Sequence, residues 1–201
     1  MVSQSLLQQQ QLLPPQMMEQ LPTFWRNIEA LASNLKLDLK GLQADHIAMR
    51  INSKDVAEHA HKLWLGKGRQ ISNAHINGRP IIVIEFDQPL STPYGSIECL
   101  ELPYPARDKF YSSQGWEHVE FVVPSEAESA EAFFDELLHR YPDFAQQCDR
   151  LDALGIAVKL SSPKGEGERL ANPTVAFKHN GVCIKLHPHS LKSIVHSEQN
   201  Q

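Results

Sequence analysis

Cysteine is scarce in this chain: Cys99, Cys148 and Cys183 are the only three in 201 residues. An odd, widely spaced set without CxxC spacing excludes a disulfide framework and a structural zinc knuckle. It makes reduced thiols in a cytoplasmic protein the expectation. Basic residues are not in excess either. Lys and Arg number 19 against 24 Asp and Glu, for a net charge of −5, which argues against a general nucleic-acid binder with its clustered cations. No apolar run approaches the roughly 20 residues of a membrane helix. The Gln-rich start, MVSQSLLQQQQLLPPQMM, lacks the basic head and continuous apolar stretch of a signal peptide. The glycines form no GxxxxGKS/T phosphate loop, and no GxSxG nucleophile motif occurs. What remains is an ordinary globular composition, 41% hydrophobic and 21% charged, with neither membrane nor nucleic acid expected as a partner.

What is present is a duplication. DHIAMR (45–50) and EHVEFV (117–122) each place an acid and then a histidine at the head of an alternating apolar run. The order around each run is the same. After DHIAMRI come an amphipathic helix over 53–66 with Ser53 as its cap, then RQISNAHI and RPIIVIEFDQPL about the Asn77-Gly78 hairpin turn, then SIECLELPYP. EHVEFVV leads into a helix over 125–141, with Ser125 and Glu128 as a capping box, then IAVKLSS, TVAFKH and GVCIKLHP, the last two joined by Asn180-Gly181. The periodicity predicts an α+β fold of two tandem β-α-β-β-β units, at 45–105 and 116–189. Ahead of them, a Gln-rich disordered arm is expected over 1–15. A helical extension over 16–44 carries the stripe Phe24, Ile28, Leu31 and Leu35, with a possible break at Pro22.

Strand alternation sorts the side chains. Ile47, Met49 and Ile51, then Val119, Phe121 and Val123, then Leu100, Leu102, Ile184 and Leu186 form apolar faces that helices must cover. The opposite faces collect His46, Arg50, Glu101, His118, Glu120, Lys185 and His187, too much ionisable material for a dry interior, so a wet cleft is expected. Alone, a strand-initial histidine reads as a hydrogen-bonded rim residue. The paired placement of His46 and His118, in line with Glu101, is what points to a site. Two imidazoles and one carboxylate suit Zn, Ni, Mn or Fe(II) and leave positions open. Asp45 and Glu117 are candidates to orient those groups, although alternation turns them away from the cleft. Cys99 and Cys183 lie mid-strand among apolar neighbours, where thiols are inert.

The motifs ADHIAMR, NGRPI, ELPYP, GWEHVEFVVP, SSPKGEGERL, NPT and IKLHPHS resemble the YecM family of bacterial proteins. The paired units resemble the wider vicinal oxygen chelate superfamily of glyoxalase I, extradiol dioxygenases, methylmalonyl-CoA epimerase and bleomycin resistance proteins. That resemblance implies a curled, side-open barrel of mixed β-sheet with helices outside. Its four ligand positions fall on His46, Glu101, His118 and Lys185.

Lys185 departs from the pattern, because an ammonium cannot coordinate a metal without losing its proton. It could swing outward to anchor an anionic substrate, be neutralised and act as a base, or replace the metal and pair with Glu101. His187 is a substitute ligand if the strand bends. Glu120 is the candidate general base. Arg50 and Lys185 would clamp a small anionic molecule, or Arg50 and Glu120 would simply form a cross-strand ion pair. Lys164 and Arg169 in the loop SSPKGEGERL would close over the anion, or sit in a charged surface loop. Three functions follow: a metal-dependent isomerase, lyase or dioxygenase acting on a small oxygenated acid; a non-catalytic binder using a metal-free cleft; and a scaffold, monomer or homodimer, joined through the 16–36 helix. Fold alone does not choose among them.

Overall fold

The computed structural model describes residues 2–162 and 170–199. Two helices lead, α1 (Val2–Gln9) and α2 (Pro14–Leu35). The first unit then runs β1 (Gln43–Arg50), α3 (Lys54–Trp64), β2 (Gly68–Ser72), β3 (His75–Ile76), β4 (Arg79–Thr92) and β5 (Gly95–Pro103). The second runs β6 (Gly115–Val122), α4 (Ala130–Arg140), α5 (Pro142–Cys148), β7 (Ala157–Ser161), β8 (Thr174–His179) and β9 (Val182–His187), and α6 (Leu191–Gln199) follows. One nine-stranded mixed sheet takes the order β2-β4-β5-β1-β6-β9-β8-β7, with β3 paired to β4. The two units therefore meet where β1 and β6 pair antiparallel, and within each unit the first strand runs parallel to the last. No helix among the described residues is long and apolar enough to cross a membrane.

The apolar faces expected from alternation are those buried. Ile47, Met49, Val119, Phe121, Leu100, Leu102, Ile184 and Leu186 join one core with the α2 stripe of Phe24, Ile28, Leu31 and Leu35. Pro22 lies inside α2 without ending it. Both Asn-Gly turns form, with positive φ at Asn77, Gly78, Asn180 and Gly181, the backbone that a two-residue hairpin with right-handed strand twist requires.

Three local expectations are corrected. The segment expected as a disordered arm is helical over Val2–Gln9: α1 packs on α3, and Leu7 and Leu12 are fully buried. The glutamines serve as caps, Gln16 Nε2 donating to the Gln8 carbonyl at 3.1 Å and Gln20 Nε2 to that of Gln11 at 2.8 Å. Two buried leucines and satisfied carbonyls are enough to order a segment that composition alone reads as loose. Helix α4 starts at Ser129, whose side chain accepts from the Ala132 amide, while Ser125 bonds the Ala127 amide and Glu136 instead of forming a capping box. The expected strand RQISNAHI breaks into β2 and β3, and within β2 the register against β4 slips between Gln70 and Ser72.

Candidate metal centre

The site lies on the sheet face opposite the core, at the seam between units. Register alone assembles it. Across β1 and β6, His46 pairs with Glu120 and Ala48 with His118; across β1 and β5, His46 sits beside Cys99 and Ala48 beside Glu101. Across β6 and β9, His118 sits beside Cys183, Glu120 beside Lys185 and Val122 beside His187. Glu120 thus occupies the centre, on the step where the first unit carries Ala48.

The imidazole Nε2 atoms converge on carboxylate oxygens. His46 Nε2 is 3.4 Å from Glu120 Oε1 and 3.7 Å from Glu101 Oε2; His118 Nε2 is 3.2 Å from Glu120 Oε1 and 3.9 Å from Glu101 Oε1. One ligand atom from each of His46, Glu101, His118 and Glu120 lies within 4.8 Å of the others, close enough to hold one ion. Both Nε2 atoms are buried without a hydrogen-bond partner, an arrangement proteins seldom leave unexplained.

Two bulges explain how the rings are held. The β1–β6 register slips between Ala44 and His46, leaving Asp45 without an opposite residue, and again at Ala48/Met49, leaving Glu117 as the odd residue of β6. A bulge re-aims a side chain. Asp45 and Glu117 therefore reach the rings that alternation alone would put out of range. Asp45 Oδ2 accepts from His46 Nδ1 at 2.9 Å, and Glu117 Oε2 accepts from His118 Nδ1. With Nδ1 protonated and held by a carboxylate, Nε2 is the free ligand atom, as in metal-bound histidines generally. The sequence signal was the DH and EH pairs themselves.

The remaining charges are paired. Lys185 Nζ donates to Glu120 Oε1 at 2.8 Å, not to Glu101. Arg50 donates to Glu117 rather than Glu120, and its guanidinium lies 3.9 Å from the Tyr111 ring centroid. His187 lies between two acids without a hydrogen bond to either, Nδ1 3.4 Å from Glu120 Oε2 and Nε2 3.5 Å from Asp45 Oδ2. Lys164 and Arg169 lie outside the described residues.

The expected wet cleft is a covered one. His46 and His187 are 1% exposed, His118 3% and Glu120 5%, leaving Glu101, Arg50 and Lys185 as the partly accessible edge. Burial alone would raise the carboxyl groups, but it is outweighed by the Lys185 charge and then the histidines for Glu120, by the histidines for Asp45, and by the histidines with Lys185 for Glu101 and Glu117. Glu101 is lowered to about 2, and Asp45, Glu117 and Glu120 lie below the usual carboxylate range. Burial opposes protonation of the rings, yet His46 is raised well above its ordinary value, chiefly by the Glu120 charge. His118, opposed also by Lys185, is raised by Glu117. Burial pushes both Cys99 and Cys183 up to about 12, which leaves them as thiols.

The YecM protein family matches residues 14–198. Protein YecM of Escherichia coli is 38% identical over 180 residues, spanning 90% of this chain and 91% of that protein. A Haemophilus influenzae protein is 34% identical over 186 residues, spanning 90% and 93%. A solved structural-genomics protein superposes with a TM-score of 0.75 at 33% identity, covering 91% of both chains. The chain belongs to the YecM family.

Proposed function

We propose that His46, Glu101, His118 and Glu120 hold one divalent transition metal, Zn, Ni, Mn or Fe, in a protein of the vicinal oxygen chelate type. The observation that carries this reading is the pair of buried, unpartnered Nε2 atoms, each on a ring whose Nδ1 is held by its own carboxylate. Charge supports it. With neutral imidazoles, four carboxylates (Asp45, Glu101, Glu117, Glu120) against the fixed cations Arg50 and Lys185 leave two negative charges, the complement of a divalent ion. Lys185 then needs no neutralisation, because it is compensated by Glu120.

A bound ion would polarise a substrate oxygen and stabilise enediolate-like charge, the chemistry of an isomerase, lyase or dioxygenase. Glu120 fits a ligand better than the general base expected from sequence. Its Oε1 accepts from Lys185 Nζ, imidazole nitrogens of His118, His46 and His187 lie 3.2, 3.4 and 3.4 Å from its oxygens, and a carboxylate held so far below its usual range is a weak base. The accessible edge carries Arg50 and Lys185, which suits a small anionic molecule, with Lys164 and Arg169 as further candidate contacts.

A metal-free binding protein is the second reading, favoured by the Lys185–Glu120 bond and the raised histidines. With both rings protonated the same cluster is neutral without an ion. Equilibrium dialysis against zinc separates the two. One ion per chain, abolished by His118→Ala and weakened by Glu101→Gln, supports the metal centre; no zinc uptake at neutral pH leaves the metal-free binder.

A further inference from the structure

We propose that α6 is a lid over the first unit's half of the sheet face that carries the site, latched to the metal cluster through Asp45. The inference rests on the metal reading above for what lies beneath the lid, and on α6 itself for the lid. Val195 of α6 packs on Val83 of β4 and Cys99 of β5, with Ile71 and Leu191 at the margin, in an apolar cluster separate from the main core. Cys99 is 2% exposed and Val195 4%, so the helix seals the floor beside His46, whose strand partner is Cys99. Ile194 of the same helix is also buried, at 2% exposure, while at the surface Lys192 pairs with Glu85 at 2.5 Å and with Glu98 at 2.6 Å, its side chain 40% exposed. A helix of nine residues held by two buried aliphatic side chains and solvent-facing ion pairs belongs to the low-stability end of a fold, the end from which moving elements are drawn.

The latch is one oxygen. Asp45 Oδ2 accepts both the His46 Nδ1 proton at 2.9 Å and the Leu191 amide at the first turn of α6 at 2.8 Å. The carboxylate that orients a ligand ring is therefore also the contact that docks the helix. Lifting α6 takes away the backbone donor to Asp45, leaving His46 Nδ1 and the more distant His187 Nε2 at 3.5 Å, and uncovers the sheet next to a ring that is itself almost fully buried. Release of the ion and opening of the helix should then change together.

The test uses the full chain with Val195→Asp, which puts a charge into the apolar cluster, and Lys192→Glu, a surface change that spares folding. Two rates are read: labelling of Cys99 by a thiol-reactive disulfide, located by mass spectrometry, and transfer of bound zinc to a chelator. Cys183, on the equivalent strand of the second unit, is the internal control. The lid predicts that both variants label Cys99 about tenfold faster or more with Cys183 unchanged, and release zinc faster by a similar factor, the range for loss of an orienting contact. Faster Cys99 labelling with unchanged zinc release overturns the latch. Equal acceleration at Cys183, or no acceleration at Cys99, overturns the lid. Absence of zinc from the parent protein instead refutes the metal reading, and the lid is then decided by the two cysteine rates alone.

Discussion

Replacing Glu120 with glutamine keeps the shape and removes one charge at the centre of the cluster. In the parent protein Glu120, 5% exposed, faces Lys185 Nζ at 2.8 Å, His118 Nε2 at 3.2 Å and His46 Nε2 at 3.4 Å. Removing one partner of a buried ion pair costs about 3–5 kcal/mol, because the other charge stays behind without compensation. Lys185 keeps some contact with water, its side chain being 24% exposed, so the low end, about 3 kcal/mol, is expected without metal. Against a typical stability of about 5–15 kcal/mol this is a large share. With a urea m-value near 3 kcal/mol per molar, it moves the unfolding midpoint down by about 1 M. Zinc supplies the second half of the test. At about a hundred times its dissociation constant it should stabilise the parent by about 2.7 kcal/mol and leave Glu120→Gln almost unchanged. Equal midpoints for the two proteins, with equal stabilisation by zinc, would refute the assignment of Glu120 to the centre.

The carboxylates behind the rings should tune the site without supplying a ligand: Asp45→Asn and Glu117→Gln are each expected to weaken zinc binding about 10–100-fold with stoichiometry intact, measured by competition with a chromophoric chelator. In metal-free protein His46 and His118 titrate above their ordinary 6.5. The stability they contribute is therefore complete below about pH 6.5 and lost as pH rises through the raised values, which urea melts in chelator from pH 6 upward should register. The ion competes with those protons, so zinc affinity should rise over the same interval, with up to two protons released per ion in calorimetry across buffers of different ionisation enthalpy. Leu31 of α2 is 1% exposed in the main core, and Leu31→Ala should cost about 2–5 kcal/mol by denaturant melts while leaving zinc stoichiometry unchanged.

Much of the fold was legible because it rests on period-two alternation and on repetition. The core-facing Ile47, Val119, Leu100 and Ile184 followed from alternation, and the ligand positions implied by the resemblance put Glu101 and Lys185 on the closing strands of the two units, at equivalent steps in the parallel pairings. Alternation failed where a strand gains a residue. Asp45 and Glu117 read as turned away, since a bulge depends on the pairing of two strands and leaves no mark in either one alone. The partner of Lys185 was likewise a matter of register, because β6 brings Glu120 directly beside it. The arm failed for another reason: glutamines next to two leucine pairs look disordered until α1 packs on α3 and Leu7 is buried. The covering of the site by α6 depends on where the chain turns after His187, which periodicity does not reach.

The most direct test of two imidazoles meeting at one ion is X-ray absorption spectroscopy of the zinc-loaded protein, compared with His46→Ala and His118→Ala. The account predicts a shell of nitrogen and oxygen only, with outer-shell scattering from two imidazole rings in the parent and loss of the bound ion in either variant. A sulfur shell, a single ring, or unchanged zinc in both variants would contradict it.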